Sequence, residues 1–418
     1  MPVMRPALTW IWCSACIRFE MPVIPPHIAR RMADIQPFHV MDLLARARTL
    51  EAQGRDIVHM EIGEPDFVTP APIREAAKQA LDAGHTHYTS ALGLPALREA
   101  ISAFYRSDYG VDVPPERIIV TPGASGALLL TLGVLVNPGD QVLMADPGYP
   151  CNRHFTRLME GEALGVPVGP QTDYQLTAGL LLANWAERSV AALLASPSNP
   201  TGTLVSSESL RAMQTTVEER GGRLIVDEIY HGLIYEQDEN LSHTALAISD
   251  QLFVINSFSK YFCMTGMRLG WLVAPEAYVR EIDKLAQNIF LAAPTLSQHA
   301  ALAAFEPATR AILDEQRDAF RQRRDFLLPA LRELGFGIPC APQGAFYLYA
   351  DCSRFSNDSA AFATTLLEQA GVAVTPGKDF GANAPQRHLR FAYTTTMAEL
   401  EKGVERLAKF LSAQASRL

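Results

Sequence analysis

From about residue 70 the chain alternates two patterns: stretches whose apolar positions return every three or four residues, and short runs that are apolar throughout. Residues 72–83 carry the first pattern, with Pro72 near the first helical position and Gly84 as the stop; residues 94–109 repeat it, with Gly110 as the stop. The second pattern occupies residues 118–120, 141–145, 191–195, 223–226 and 252–255. Near-continuous Val, Ile, Leu and Ala at strand length predicts strands buried on both faces, and the long intervals between them leave room for crossover helices. The expectation is an α/β fold with a mostly parallel sheet.

Each apolar run ends in polar residues: Thr121-Pro-Gly-Ala-Ser125, Asp146-Pro-Gly-Tyr149, Ser196-Pro-Ser-Asn199, Asp227-Glu-Ile-Tyr230 and Ser257-Phe-Ser-Lys260. Open α/β sheets bind ligands outside the carboxyl ends of their strands, so the chemistry is expected at that edge. Arg268 precedes the next run, residues 269–274, and only seven residues separate it from Lys260. That connection is too short for a parallel crossover, which predicts one antiparallel strand and returns Arg268 to the edge of Lys260. After about residue 300 the pattern changes. Residues 303–334 read as mostly helical, with Arg321, Arg323 and Arg324 on a solvated face, and 346–349, 372–374 and 388–392 read as strands of a smaller α+β unit.

The length of 418 residues favours two domains. We expect a large ligand-binding domain at 66–304 and a small domain at 305–418, joined by an arm at 21–65. Hydrophobic residues at 48% and charged residues at 19% describe a globular chain. A net charge of −9 with no basic face argues against nucleic acid, although a local cluster of donors would still serve a small anion. The six cysteines are scattered, as in a reducing cytoplasm, and Cys13 and Cys16 lack the second pair a zinc site needs. The ten histidines show no ligand spacing, so no metal is expected, and no run approaches a membrane span. Residues 1–20 read as an upstream extension rather than a signal peptide, with Met21 as the natural start.

Lys260 is an amine among hydroxyls with a guanidinium eight residues on. That grouping suits a Schiff base to an aldehyde that carries a phosphate. Gly123, Ala124 and Ser125 open a helix whose free amides can meet an anion, although an ordinary strand-to-helix turn looks the same. Ser257, Ser259 and Arg268 add phosphate donors. Asp227 can hold a protonated pyridine nitrogen or cap a helix. Tyr230 and Asn199 can reach the phenolic oxygen of such a ring, and Tyr149 can stack on it or simply edge the core.

Nine segments in order resemble the class I and II aminotransferases, the fold-type-I enzymes: Gly63-Glu-Pro-Asp-Phe67, His87-Tyr88-Thr89, Gly93, Thr121-Pro-Gly123, Asp146-Pro-Gly-Tyr149, Ser198-Asn-Pro-Thr-Gly202, Asp227-Glu-Ile-Tyr230, the lysine site and Leu389-Arg390-Phe391. The resemblance spans about residues 36–411 and implies pyridoxal phosphate bound through Lys260, which then moves the proton. It implies Asp227 on the pyridine nitrogen, and Asn199 and Tyr230 on the phenolic oxygen. Ala124, Ser125, Ser257 and Arg268 would hold the phosphate, with Tyr149 on the ring. Arg390, which would otherwise pass for a surface arginine, would grip the substrate carboxylate, helped by Gly63 and Asn199. Tyr88 would reach the phosphate of a partner subunit in a homodimer with shared sites. The implied reaction moves an α-amino group from an amino acid to a 2-oxo acid in ping-pong fashion, with glutamate and 2-oxoglutarate as one pair by family habit. A C–S β-lyase on the same fold shares these residues and stands as the alternative. No arginine selecting a second carboxylate can be assigned.

Overall fold

The computed structural model describes residues 27–235 and 238–415. The proposed extension at 1–20, with Cys13 and Cys16, lies outside the described residues. Strand β1 (Val58–His59) is followed by β2 (Ile118–Thr121), β3 (Gln141–Asp146), β4 (Glu162–Pro167), β5 (Ser189–Ala195), β6 (Arg223–Asp227), β7 (Phe253–Ser257) and β8 (Gly270–Val273). β9 (Tyr347–Asp351), β10 (Val372–Ala373), β11 (Thr375–Pro376) and β12 (His388–Ala392) complete the set.

Strands β2 to β8 form one sheet in the order β2-β8-β7-β6-β5-β3-β4. β8 runs antiparallel to both its neighbours, while the other pairings are parallel. The single reversed strand expected from the short Lys260–Arg268 connection is therefore present. Alternate residues of one strand enter two different cores: Leu224 and Val226 pack into one, Ile225 into the other. This is why these runs are apolar throughout instead of alternating. Trp271 is fully buried on β8 and its Nε1 donates to the Tyr105 hydroxyl at 3.0 Å, so its polar atom is satisfied.

The helix expected at 72–83 spans Ala71–Asp82 with Pro72 in its first turn, and the next spans Pro95–Tyr109 with Gly110 left-handed at its end. Strand β4 has no counterpart in the expected pattern. It lies at the sheet edge, is mostly exposed, and contains Gly165 and Pro167, so it lacks the apolar run that marks a two-faced strand. β1, two residues long, was likewise not expected. It pairs with β10, tying residues 58–59 to the C-terminal part, where β11-β12-β9 form an antiparallel sheet. The run at 372–374 holds β10, and β11 follows directly after it.

The face expected to be solvated on the helix Pro307–Leu334 needs correction. Arg321 is partly exposed, but Arg323 is buried, with Nη1 on Asp66 Oδ1 at 2.7 Å and its guanidinium over the Phe67 and Phe320 rings. Arg324 lies over the Tyr235 ring and donates to the Pro342 carbonyl. Among the described residues no helix is long and apolar enough to cross a membrane.

Candidate active site

The carboxyl ends of β2, β3, β5, β6 and β7 open onto a cavity of about 480 Å³. Twelve of the candidate residues line it: Gly63, Ala124, Ser125, Tyr149, Asn199, Asp227, Tyr230, Ser257, Ser259, Lys260, Arg268 and Arg390. Gly123 stands behind the lining with φ +71, and a Cβ there would lie 2.7 Å from Arg268 Nη2, so a side chain would displace the guanidinium. Tyr88 is not in the lining and is 80% exposed.

Lys260 lies between the two ends of the cavity. Its Nζ donates to the Gly63 carbonyl at 2.6 Å and lies 5.7 Å from the centres of the Tyr230 and Phe346 rings. Burial is the main reason that its proton affinity drops to about 8; Arg390 and then Arg268 push the same way, while Glu64 and Asp227 oppose them. Arg390, from the other end, contributes more than Arg268.

Asp227 ends β6, and its Oδ1 accepts from Ile229 N at 3.0 Å. Burial raises its carboxyl to about 7, with Glu228 adding to the rise and Lys260 opposing it. A cationic ligand beside it would return it to the carboxylate. The Tyr230 hydroxyl shares a 2.8 Å hydrogen bond with Tyr347, and burial pushes both phenols up, so both remain protonated donors. Tyr149, 36% exposed, roofs the cavity.

At one end, Ser257 Oγ donates to Ser259 Oγ at 3.0 Å and accepts from Ser259 N. Arg268 is left-handed (φ 50°, ψ 55°), a strained position for a branchless turn residue other than glycine, and its Nη1 donates to the Thr265 carbonyl at 2.9 Å. At the other end, Arg390 on β12 is buried. Its Nη1 donates to Asn199 Oδ1 at 3.0 Å and its Nη2 to the Glu61 carbonyl at 2.8 Å, while Nε has no partner. The Tyr347 and Phe380 rings flank it at 4.3 and 4.9 Å.

This donor set fits pyridoxal phosphate. Hydroxyls and a guanidinium gather around a glycine-lined turn, a buried carboxyl lies deeper, an amine lies between them, and an unpartnered guanidinium N–H is left for a carboxylate. Three contributors escaped the sequence reading. Gly270 allows β8 to pass the turn, since a Cβ would lie 2.8 Å from Ala124 N. Tyr347 braces Tyr230 and Arg390, and Glu64 accepts from Thr265 Oγ1. Tyr347 lay in a segment already read as a strand, but nothing local marked its role.

The sequence profile of aminotransferase class I and II matches residues 55–407. The valine–pyruvate aminotransferase of Mycobacterium tuberculosis is 39% identical over 382 residues, covering 91% of this chain and 98% of its own. The aspartate/prephenate aminotransferase of Thermus thermophilus is 35% identical, covering 92% and 98%. A crystal structure of an aminotransferase from Mycobacterium tuberculosis superposes with a TM-score of 0.89 at 38% identity, covering 93% of this chain and 100% of that one. These relatives are named for nitrogen transfer, which favours transamination over C–S elimination. With this cavity and these relatives, the chain belongs to the class I and II aminotransferases, pyridoxal-phosphate enzymes that move an amino group between an amino acid and a 2-oxo acid.

Proposed function

We propose that Lys260 carries the cofactor and moves the proton, in a homodimeric cytoplasmic enzyme for which glutamate and 2-oxoglutarate form one of the two substrate pairs. The observation that carries the reading is the half-buried Lys260, its amine lowered to about 8, in one cavity with Asp227, Arg268 and Arg390. Pyridoxal phosphate, when bound, supplies an aldehyde for the amino group and a ring that accepts the electron pair of the broken Cα–H bond. Ser125, Ser257, Ser259 and Arg268, with the amides of Gly123 and Ala124, hold the phosphate. Asp227 holds the ring nitrogen, Tyr230 and Asn199 the phenolic oxygen, and Tyr149 covers the ring.

Arg390, with Asn199 and the Gly63 backbone, orients the substrate carboxylate and so fixes the Cα–H bond toward Lys260. Lys260 Nζ, with its ammonium form disfavoured, takes that proton as base and returns it as acid. Tyr88 is 80% exposed on a single chain, and Val68 and Leu291 expose apolar surface as well, which suits a partner subunit that Tyr88 reaches. A division into domains at 66–304 and 305–418, with 21–65 as the arm, goes with this reading and with the pairing of β1 and β10.

Borohydride reduction of the holoenzyme followed by peptide mapping should place the cofactor on Lys260. Lys260→Ala should lower turnover by more than about 10⁴-fold while retaining weak cofactor binding. An adduct on another lysine, or normal turnover in the variant, would refute the assignment.

A further inference from the structure

Glu61 is a fully buried carboxylate two residues before Gly63, and no step above uses it. Its Oε1 lies 2.7 Å from His59 Nδ1, and its Oε2 is buried without a partner. The other ring nitrogen of His59, Nε2, lies 3.1 Å from Glu51 Oε1. With a carboxylate oxygen at each nitrogen, the ring satisfies both contacts only as the doubly protonated cation. The backbone of the same segment serves the active site. The Glu61 carbonyl accepts from Arg390 Nη2 at 2.8 Å and from Thr375 Oγ1, the Ile62 carbonyl from Thr394 Oγ1, and the Gly63 carbonyl from Lys260 Nζ.

Replacing a buried ion pair with apolar side chains is often neutral or stabilising, whereas removing one partner strands a charge. Stability is thus a poor reason for an ionised side chain in a segment whose Glu61 and Gly63 carbonyls hold Arg390 and Lys260. We infer that Glu61, held by the His59 cation, is a positioning residue that sets the 61–63 backbone so that Arg390 presents its guanidinium to the substrate carboxylate.

This rests on the proposed role of Arg390. The charged groups around His59 are Glu61, two residues past it, and Glu51 on the helix His39–Ala52; β10 brings none. The helix Met397–Ala415 packed on β1 commits Lys402 and Arg406 to Asp56. Its two carboxylate partners raise the His59 proton affinity to about 9 against the opposing effect of burial, so the support holds at neutral pH and is lost as pH rises through that value.

The test uses the holoenzyme and its Glu61→Gln, His59→Gln and Arg390→Gln variants. It measures KM for the amino acid, kcat, and the inhibition constant of 3-methylbutanoate, a carboxylate with no amino group. Glu61→Gln should raise KM and the inhibition constant about tenfold, more than kcat falls, and His59→Gln should raise them further because it strands a buried charge. The wild-type inhibition constant should climb between pH 8 and about 10 by more than that of either variant. If His59→Gln does not fold, Glu61→Gln decides alone. Unchanged KM and inhibition constant in a folded Glu61→Gln, with or without a lower Tm, would overturn the inference while Arg390→Gln still raised both. If Arg390→Gln raised neither, the carboxylate role of Arg390 would fall and this inference with it.

Discussion

At one end of the cavity Arg268 stands exposed on a turn, with one carbonyl partner and two serines that bond each other. At the other end Arg390 is 6% exposed, flanked by two aromatic rings and held by Asn199, Glu61 and Thr375. The first arrangement suits an anion that brings its own double charge and stays. The second is aimed in advance, which suits a singly charged carboxylate that must bind and leave in each turnover. A buried, braced cation also loses little freedom when it binds.

Three measurements can break or sharpen this contrast. The largest effect is expected at the buried end: Arg390→Ala should raise KM for every amino acid on the order of a hundredfold, because charge-assisted hydrogen bonds are lost in a dry site. Equal KM values in variant and parent would dissolve the contrast. Arg268→Gln should weaken cofactor retention by about tenfold, read from loss of absorbance on dilution, and high salt should shrink the difference because the group is exposed. A salt-independent loss larger than that of Arg390→Ala on substrate would reverse the ranking.

The smallest effect concerns Asp227, between the ends. Its carboxyl is raised from the usual 3.8 to about 7, so between those values the folded cofactor-free protein keeps a proton that the unfolded chain releases. Stability should therefore fall as pH rises through that window. Asp227→Asn should flatten that part of the Tm profile of the cofactor-free protein. An unchanged slope would show that Asp227 does not hold a proton there.

The two ends also differ in how readable they were. Ser257, Ser259, Lys260 and Arg268 fall within one short stretch, and loop length alone returned Arg268 to its place. The carboxylate end draws on residues 61, 199, 347, 375 and 390, which share no spacing, and only the resemblance drew attention to Arg390. Tyr347 matters because of Tyr230, 117 residues away, and Gly270 because of Ala124 across the sheet, so neither has a local signature. Arg323 was misplaced for a related reason: an arginine among charged neighbours reads as solvated until Asp66 and Phe67 arrive from elsewhere in the chain. The central strands were legible because both faces are dry, whereas the exposed edge strand β4 was not.

The reversed strand β8 has a consequence for how this gene can vary. It makes the stretch from Ser257 to Gly270 a fixed ruler, graduated in amine, guanidinium and hydroxyls. A single codon gained or lost between positions 260 and 268 would shift Arg268 against the amine and both hydroxyls at once, while a surface turn such as 137–140 could lengthen without altering those intervals.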